Sequence, residues 1–290
     1  MKYKNNITGI ICVNKPAGIT SRDVVNKVQK ILNTKAGHTG TLDPIAHGVL
    51  VITLGKATKL NELLVATTKE YIATAILGIG TDTLDTDGTV LNNENTNFSK
   101  EEIIRALNHF KGKYEQEVPK HSAVKINGKK LYEYAREKVD IELPKRMVEV
   151  YDIELLDCNY TDNKTVFKFK VKVSKGTYIR SLIRDIGLYL NTNGVMSDLE
   201  RVKQGNFSIE KSYTLDDIEK GNYKILSVGD VLKIPKVKVD DLIKFKIING
   251  QVLNYDYDEV LFTDENGLEL AIYKKEKGVL KMWKMLCEVK

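Results

Sequence analysis

Hydrophobic and polar positions recur along this chain with two periods, and the changes of period mark its elements. Residues 9–14 form a short apolar run that predicts a buried strand. A turn over 15–21 follows, and Thr20 with Asp23 makes an N-terminal capping pair. It predicts a helix whose apolar face is Val24, Val25, Val28, Ile31 and Leu32. The run 49–54 predicts a second buried strand, Leu60, Leu63 and Leu64 a short helix, and residues 69–78 a further strand carrying Tyr71. Ser99 with Glu102 caps a helix bearing Ile103, Ile104, Leu107 and Phe110.

Residues 165–174 alternate most cleanly. Phe167, Phe169, Val171 and Val173 face one way and Lys168, Lys170 and Lys172 the other, which predicts a strand with one buried face and one wet, basic face. The pattern then changes to helical spacing at Ile179, Leu182, Ile183, Ile186 and Leu190, with Arg180 and Arg184 sharing a different side. Thr214 with Asp217 caps a last short helix. Beyond Pro235, short alternating runs broken by Asn249-Gly250 and Asn266-Gly267 carry hairpin turn signals and predict a small all-β module.

Composition narrows the function classes. At 290 residues the chain is long enough for a large core and a second small domain. Its 42% hydrophobic and 29% charged content is that of an ordinary globular protein, and a formal charge of +6 leans toward a polyanionic partner. Three widely spaced cysteines, Cys12, Cys158 and Cys287, form neither a zinc ribbon nor a disulfide framework, so reduced thiols in a cytoplasmic protein are expected. The first residues are polar, with no apolar signal core, and no apolar run approaches the roughly 20 residues of a membrane-spanning helix.

Candidate chemistry concentrates in residues 37–48, where Gly37, Gly40, Gly48 and Pro44 build a tight loop around one acid, Asp43, and one imidazole, His38. Asp43-Pro44 is by itself an ordinary turn initiator, so the loop supports either a turn or a reactive carboxylate. Residues 83–94 place Thr83, Asp85, Asp87, Gly88 and Glu94 close to a calcium-loop spacing, but the first ligand is Thr and no helix precedes it. Asp43, Asp82, Asp85 and His38 also leave open a metal-dependent phosphohydrolase. A phosphate-binding P-loop is excluded because Gly48 stands too far from Gly55-Lys56. Between 111 and 146, Lys120, Lys125, Lys129 and Lys130 read either as phosphate contacts or as a solvated face shared with Glu115, Glu117 and Glu133.

The string G-H-T-G-T-L-D-P-I-A-H-G-V-L over 37–50, followed by G-K-A-T-K, resembles the motif around the catalytic aspartate of the bacterial tRNA pseudouridine-55 synthase family. K-P-A-G-I-T-S over 15–21, K-E-Y over 69–71, G-T-Y-I-R-S-L-I-R-D-I-G over 176–187 and the segment 195–202 match further family motifs in order. The resemblance implies a mixed α+β catalytic domain over 1–234, with a largely antiparallel sheet flanked by helices and an RNA-gripping insertion over about 111–146. A small β-rich PUA-like RNA-binding domain follows over 236–290. It implies isomerisation of uridine-55 in the tRNA T-loop to pseudouridine, without cofactor or metal, by a monomer that needs no protein partner and binds the T-arm stem-loop in the cytoplasm. Asp43 is then the catalytic carboxylate, Arg180 its guanidinium partner, and Tyr71 the ring that stacks on the target base. His38, Tyr178, Leu199 and Lys15 are substrate-binding, and Lys120, Lys125, Lys129, Lys130 and Arg136 bind RNA. The chain departs from the pattern at Val118, where a second proline is usual beside Pro119, and at Glu200, where a basic residue is usual. A non-catalytic RNA-binding protein of the same fold, gripping the tRNA elbow, is the alternative.

Overall fold

A computed structural model describes residues 7–65 and 68–288. In chain order its principal elements are β1 (Gly9–Lys15), α1 (Ser21–Leu32), β2 (His47–Leu54), β3 (Lys69–Leu77), α2 (Lys100–His109), β4 (Gly112–Glu117), β5 (Lys145–Thr161), β6 (Lys164–Val173), α3 (Ile179–Tyr189), β7 (Gly194–Gln204), β8 (Lys236–Lys238), α4 (Asp241–Ile248), β9 (Glu259–Thr263), β10 (Glu269–Glu276) and β11 (Val279–Met285). The architecture is mixed α+β. Chain contacts divide it into two units, one of residues 1–44, 48–66 and 206–290, the other of 45–47 and 67–205.

In the first unit β1 and β2 pair antiparallel from Gly9↔Leu54 to Lys15↔Gly48, and a short strand, Ala36–His38, pairs with β2. Both strands are buried on both faces, which explains their continuous apolar runs. Ile11, Val13, Leu50 and Ile52 pack with Val24, Val25, Val28 and Leu32 of α1, while Ile10, Cys12, Val49 and Val51 pack with Leu60, Leu64, Leu261 and Ile272. The Thr20–Asp23 capping box is present. Leu63 departs from expectation: Leu60 and Leu64 enter the core, but Leu63 is exposed because the helix there is a single turn after a 3₁₀ segment. The C-terminal sheet runs β8-β9-β10-β11, with β8–β9 parallel and the other pairs antiparallel.

This C-terminal region is not all-β. Asp240 caps α4 by accepting the Ile243 N–H at 2.8 Å, and Asn249-Gly250, with Gly250 at φ +69°, ends that helix instead of turning a hairpin. Apolar residues lie all round α4, including exposed Leu242 and Phe245, so no helical stripe showed in the sequence. Asn266-Gly267 does stand between paired strands β9 and β10.

In the second unit the strands run β7-β3-β6-β5-β4, all antiparallel. Phe167, Phe169, Val171 and Val173 are buried and Lys168, Lys170 and Lys172 exposed, as their alternation requires. The wet face is not a basic one, however. Asp157, Glu154 and Asp152 of β5 stand directly opposite Lys168, Lys170 and Lys172, and Glu70 of β3 flanks Lys172 from the other side. Cross-strand pairing therefore balances a charge that one strand's sequence displays alone. Ser99 and Glu102 cap α2, with Ile103 and Leu107 buried and Ile104 exposed.

Helix α3 lies unusually close to β7. A Cβ at Gly187 would stand 2.7 Å from the Gly194 nitrogen, and one at Gly194 would stand 2.8 Å from the Ile183 carbonyl oxygen. Both obstacles are backbone, so neither can swing aside. Replacing Gly187 with Ala is expected to lower stability by about 1–3 kcal/mol through overpacking, read as a fall in denaturation midpoint; an unchanged midpoint contradicts this packing.

Candidate active site

In the first unit, Asp43 is half-buried in a loop clamped on both sides. Before it, Leu42 donates its N–H to Ser21 Oγ at 2.8 Å and accepts from that hydroxyl through its carbonyl at 2.9 Å. After it, the Pro44 carbonyl accepts from Gly18 N–H at 2.8 Å and from Lys15 Nζ at 3.3 Å. Lys15 also donates to the Pro16 carbonyl at 3.0 Å and is wholly buried. A buried ammonium must find oxygen acceptors, and these carbonyls tie its turn to the Asp43 loop. Lys15 thus clamps the loop from its own turn. His38, on the short strand beside β2, is half-buried, and its Nδ1 faces the Gly40 N–H at 3.4 Å.

In the second unit, the sheet supplies Tyr71 and Leu199. Tyr71 on β3 pairs across to Arg201 of β7, and Leu199 pairs with Ala73, two residues further along β3. Period-two alternation puts Lys69, Tyr71 and Ala73 on one buried face. Tyr178 precedes α3, its N–H donating to Gln116 Oε1 at 2.8 Å and its carbonyl accepting from Gln116 Nε2 at 3.1 Å. The Arg146 guanidinium lies 5.6 Å from the Tyr178 ring centre. Ser181 Oγ donates to the Glu117 carbonyl at 2.8 Å and Arg184 Nη1 to Glu117 Oε1 at 2.9 Å, so β4 holds the first turns of α3. Burial pushes the Asp185 carboxyl above its ordinary range, against the pull of Arg184.

Arg180 opens α3 and is 5% exposed. Its Nη1 donates to the Thr83 carbonyl at 2.8 Å and stands 3.5 Å from Asp85 Oδ2, while Nη2 donates to the His121 carbonyl at 3.0 Å. Asp85, equally buried, accepts from Thr83 Oγ1 at 2.5 Å through its other oxygen. In the sequence Asp85 was legible as a possible calcium ligand or as part of a metal-dependent phosphohydrolase site. The structure instead makes it a counter-charge for Arg180 and part of a self-bracing loop, in which Asp82 Oδ1 accepts the Thr89 N–H at 2.8 Å. Glu94, at the twelfth place of that spacing, accepts from Thr192 Oγ1 at 2.5 Å, which holds its carboxyl below the usual range.

The insertion reaches Arg180 through His121. Lys125–Ile126 and Lys129–Lys130 form a hairpin turning at Asn127 and Gly128, both at positive φ, and a helix, Leu131–Arg136, follows. Lys129 pairs with Glu137 and lies over the Tyr134 ring. Lys130 donates to Tyr132 Oη at 3.0 Å, and Arg136 lies 5.3 Å from the Tyr132 ring centre. Lys125 is exposed and Lys120 half-buried. Val118, the departure from the family pattern, is buried and donates its N–H to the Pro144 carbonyl at 3.0 Å, a bond that proline could not make. Glu200, the other departure, lies 4.0 Å from His47, whose Nε2 is 3.2 Å from Asp198.

A separate cavity of about 1150 Å³ in the first unit is lined by Lys35, Lys56, Lys59 and Lys244 together with Glu269 and Glu288. Burial, and then the neighbouring Lys56, Lys284 and Lys35, push the Lys59 ammonium below its ordinary range. No helix among the described residues is long and apolar enough to cross a membrane.

The chain is similar along most of its length to known proteins. A family profile described as TruB family pseudouridylate synthase (N terminal domain) matches residues 28–179, and one described as tRNA pseudouridylate synthase B C-terminal domain matches 180–231. Proteins named tRNA pseudouridine synthase B are similar along most of the chain. The one from Caldanaerobacter subterraneus is 40% identical over 92% of this chain and 95% of its own length, and the one from Bacillus subtilis 38% identical over 97% and 98%. Among solved structures, a Cbf5-Nop10-Gar1 complex aligns with TM-score 0.67 at 28% identity, over 96% of this chain and 84% of its own. An H/ACA RNP bound to a substrate RNA containing 2'-deoxyuridine aligns with TM-score 0.66 at 27% identity, over 97% and 85%.

Removing Asp85 leaves a buried guanidinium short of a counter-charge. Asp85→Ala is expected to cost about 3–5 kcal/mol of stability, measured by denaturant unfolding; a loss below about 1 kcal/mol would place the pair among weak surface bridges.

Proposed function

Because the chain belongs to the TruB family of pseudouridylate synthases, we propose that it isomerises uridine-55 of tRNA with Asp43 as its reactive carboxylate, Arg180 as the guanidinium that keeps such an acid ionised, and Tyr71 and Leu199 as the walls that receive the base. The chain is an isomerase, a tRNA pseudouridine synthase. The observation that carries the assignment of roles is the ordered survival of these side chains in settings that fix them: Asp43 between two backbone clamps, Arg180 held by Asp85 and two carbonyls.

The reaction breaks the N1–C1′ bond of uridine, turns the base and rejoins it through C5. One proton leaves C5 and one is gained at N1, so no electrons are transferred and no water is consumed. A carboxylate serves such a reaction as nucleophile or as stabiliser of the sugar. The target base must leave its stack, and an aromatic face compensates by about 1–3 kcal/mol per base. Tyr71, a buried ring on β3, suits the task, with Leu199 opposite Ala73, two residues further along that strand. His38 and Tyr178 are read as further contacts to the loop of the RNA.

For the tRNA as a whole, the reading adds electrostatic contacts. In the insertion, Lys120 and Lys125 present the cations least engaged with protein, while Lys129, Lys130 and Arg136 are held against Tyr134 and Tyr132 and approach the RNA as a preset group. At the cavity of the first unit, Lys35, Lys56 and Lys59 are mutually repelling ammonium groups that would gain from a phosphodiester, beside a largely apolar lining. Residues 236–290 are read as a PUA-like RNA-binding domain on the strength of the four-stranded sheet and α4. Cys12, Cys158 and Cys287 are thiols rather than disulfides, which suits work in the reducing cytoplasm. A monomer without protein partners suffices for these roles.

The test uses a tRNA T-arm carrying tritium at uridine C5. The wild-type protein should release tritium and place pseudouridine at position 55. Asp43→Asn should release none, and Tyr71→Leu should bind the RNA but turn over at least 100-fold more slowly. Equal release by wild type and Asp43→Asn would remove Asp43 from the mechanism, and binding without release by wild type would favour the non-catalytic alternative.

A further inference from the structure

Tyr178, read as a contact to the loop of the RNA, stands at the end of the turn between β6 and α3, and something must aim its ring. We propose that Gln116 and Arg146 are positioning residues that hold Tyr178 before the RNA arrives, one by its backbone and the other by its ring. This rests on the function proposed above and deepens it.

Strand register brings the two residues together. Gln116 of β4 and Arg146 of β5 stand directly opposite each other in an antiparallel pair, so their side chains issue from one face. Gln116 is fully buried, and both N–H groups and the oxygen of its amide are engaged. Oε1 accepts the Tyr178 N–H at 2.8 Å, and Nε2 donates to the Tyr178 carbonyl at 3.1 Å and to Tyr114 Oη at 2.5 Å. One side chain thereby fixes both backbone groups of one residue. Tyr178 is the N-cap of α3, and its own side chain makes no capping bond. The start of that helix is satisfied instead by an amide from β4.

Arg146 acts on the ring. Its guanidinium lies 5.6 Å from the Tyr178 ring centre, and a Cβ at Gly176 would stand 3.3 Å from its Nη1. The guanidinium therefore packs both on the ring and on the turn that leads to it. The first residue of that turn is also tied to β5. The Ser174 N–H donates to the Glu149 carbonyl at 2.8 Å, and Ser174 Oγ accepts the Glu149 N–H at 2.9 Å. Thr177 Oγ1 closes the turn on itself by donating to the Ser174 carbonyl at 3.0 Å. Residues 174–178 are thus held at their start, middle and end by β4 and β5. Tyr178 is half-buried, and no hydrogen bond among the described residues uses its hydroxyl. Its backbone and one side of its ring are fixed while the phenol is left for a ligand.

A side chain fixed in this way meets the nucleotide already ordered, and a displacement of about 1 Å is enough to cost such a contact its effect on rate. Neither residue needs to touch RNA to do this, which separates Arg146 from the lysines of the insertion.

The test measures single-turnover pseudouridine formation on tRNA, with affinity determined in parallel over a range of salt. Tyr178→Leu sets the reference loss. Gln116→Met and Arg146→Met should each slow the reaction by on the order of 10- to 100-fold, with affinity within about threefold of wild type because phosphate contacts elsewhere carry the binding. In the Tyr178→Leu background either change should cost less than about threefold, since the ring through which both act is gone. Arg146→Lys, which keeps the charge but loses the plane, should be slowed as much as Arg146→Met. Neither Arg146 variant should alter the slope of affinity against salt. If Gln116→Met does not fold, Gln116→Asn takes its place, its amide falling one methylene short of Tyr178. The proposal is overturned if the losses add in full to that of Tyr178→Leu, or if folded Gln116 and Arg146 variants, or Tyr178→Leu itself, react at the wild-type rate. Rescue by Arg146→Lys, with a salt slope lowered by about one in Arg146→Met, would make Arg146 a phosphate contact and overturn its part. The function itself fails only if wild type forms no pseudouridine, so the two failures are distinct.

Discussion

A guanidinium withdrawn from water has to be met by fixed oxygens, and at Arg180 that requirement shapes much of the second unit. Asp85 and the Thr83 carbonyl come from the loop after β3, and the His121 carbonyl from the insertion. Breaking such a buried pair costs far more than a surface bridge contributes. The loop and the insertion are therefore bound to the start of α3 by the same charge. The close passage of α3 along β7, enforced by Gly187 and Gly194, completes the frame.

The first unit applies the same physics with the opposite economy of charge. Lys15 is as deeply buried as any described residue, and its acceptors include the backbone carbonyls of Pro16 and Pro44. These bonds, with the double bond between Ser21 and Leu42, fix the backbone on either side of Asp43. A reactive acid on a loop loses rate if it wanders, since catalysis by positioning depends on small displacements. In both units, then, the residues proposed for the chemistry are held by hydrogen bonds and charges of the surrounding scaffold.

Much of this was legible in the sequence because local signals and tertiary context agreed. The capping pairs at Thr20, Ser99 and Thr214 and the alternation over 165–174 all appear as expected. What escaped depended on neighbours distant in sequence. Asp85 reads locally as a loop acid, and only the arrival of Arg180, 95 positions later, gives it a role. The lysines of β6 read as a basic face until β5 brings an acid opposite each. Helix α4 was hidden because apolar residues surround it, and Leu63 because one helical turn is too short for periodicity to select a face. Nothing in a turn of Lys and Pro announces that the Lys15 ammonium is fully enclosed.

The central claim is that the catalytic groups are held in place by the scaffold before RNA arrives, with Asp85 holding Arg180. The most direct measurement is the single-turnover rate of pseudouridine formation by Asp85→Asn, with its tRNA affinity determined in parallel. The account predicts a rate lower by on the order of 100-fold, as for a lost electrostatic positioning group, with affinity within about threefold of wild type, since no phosphate contact is removed. A wild-type rate in a folded Asp85→Asn protein would contradict it.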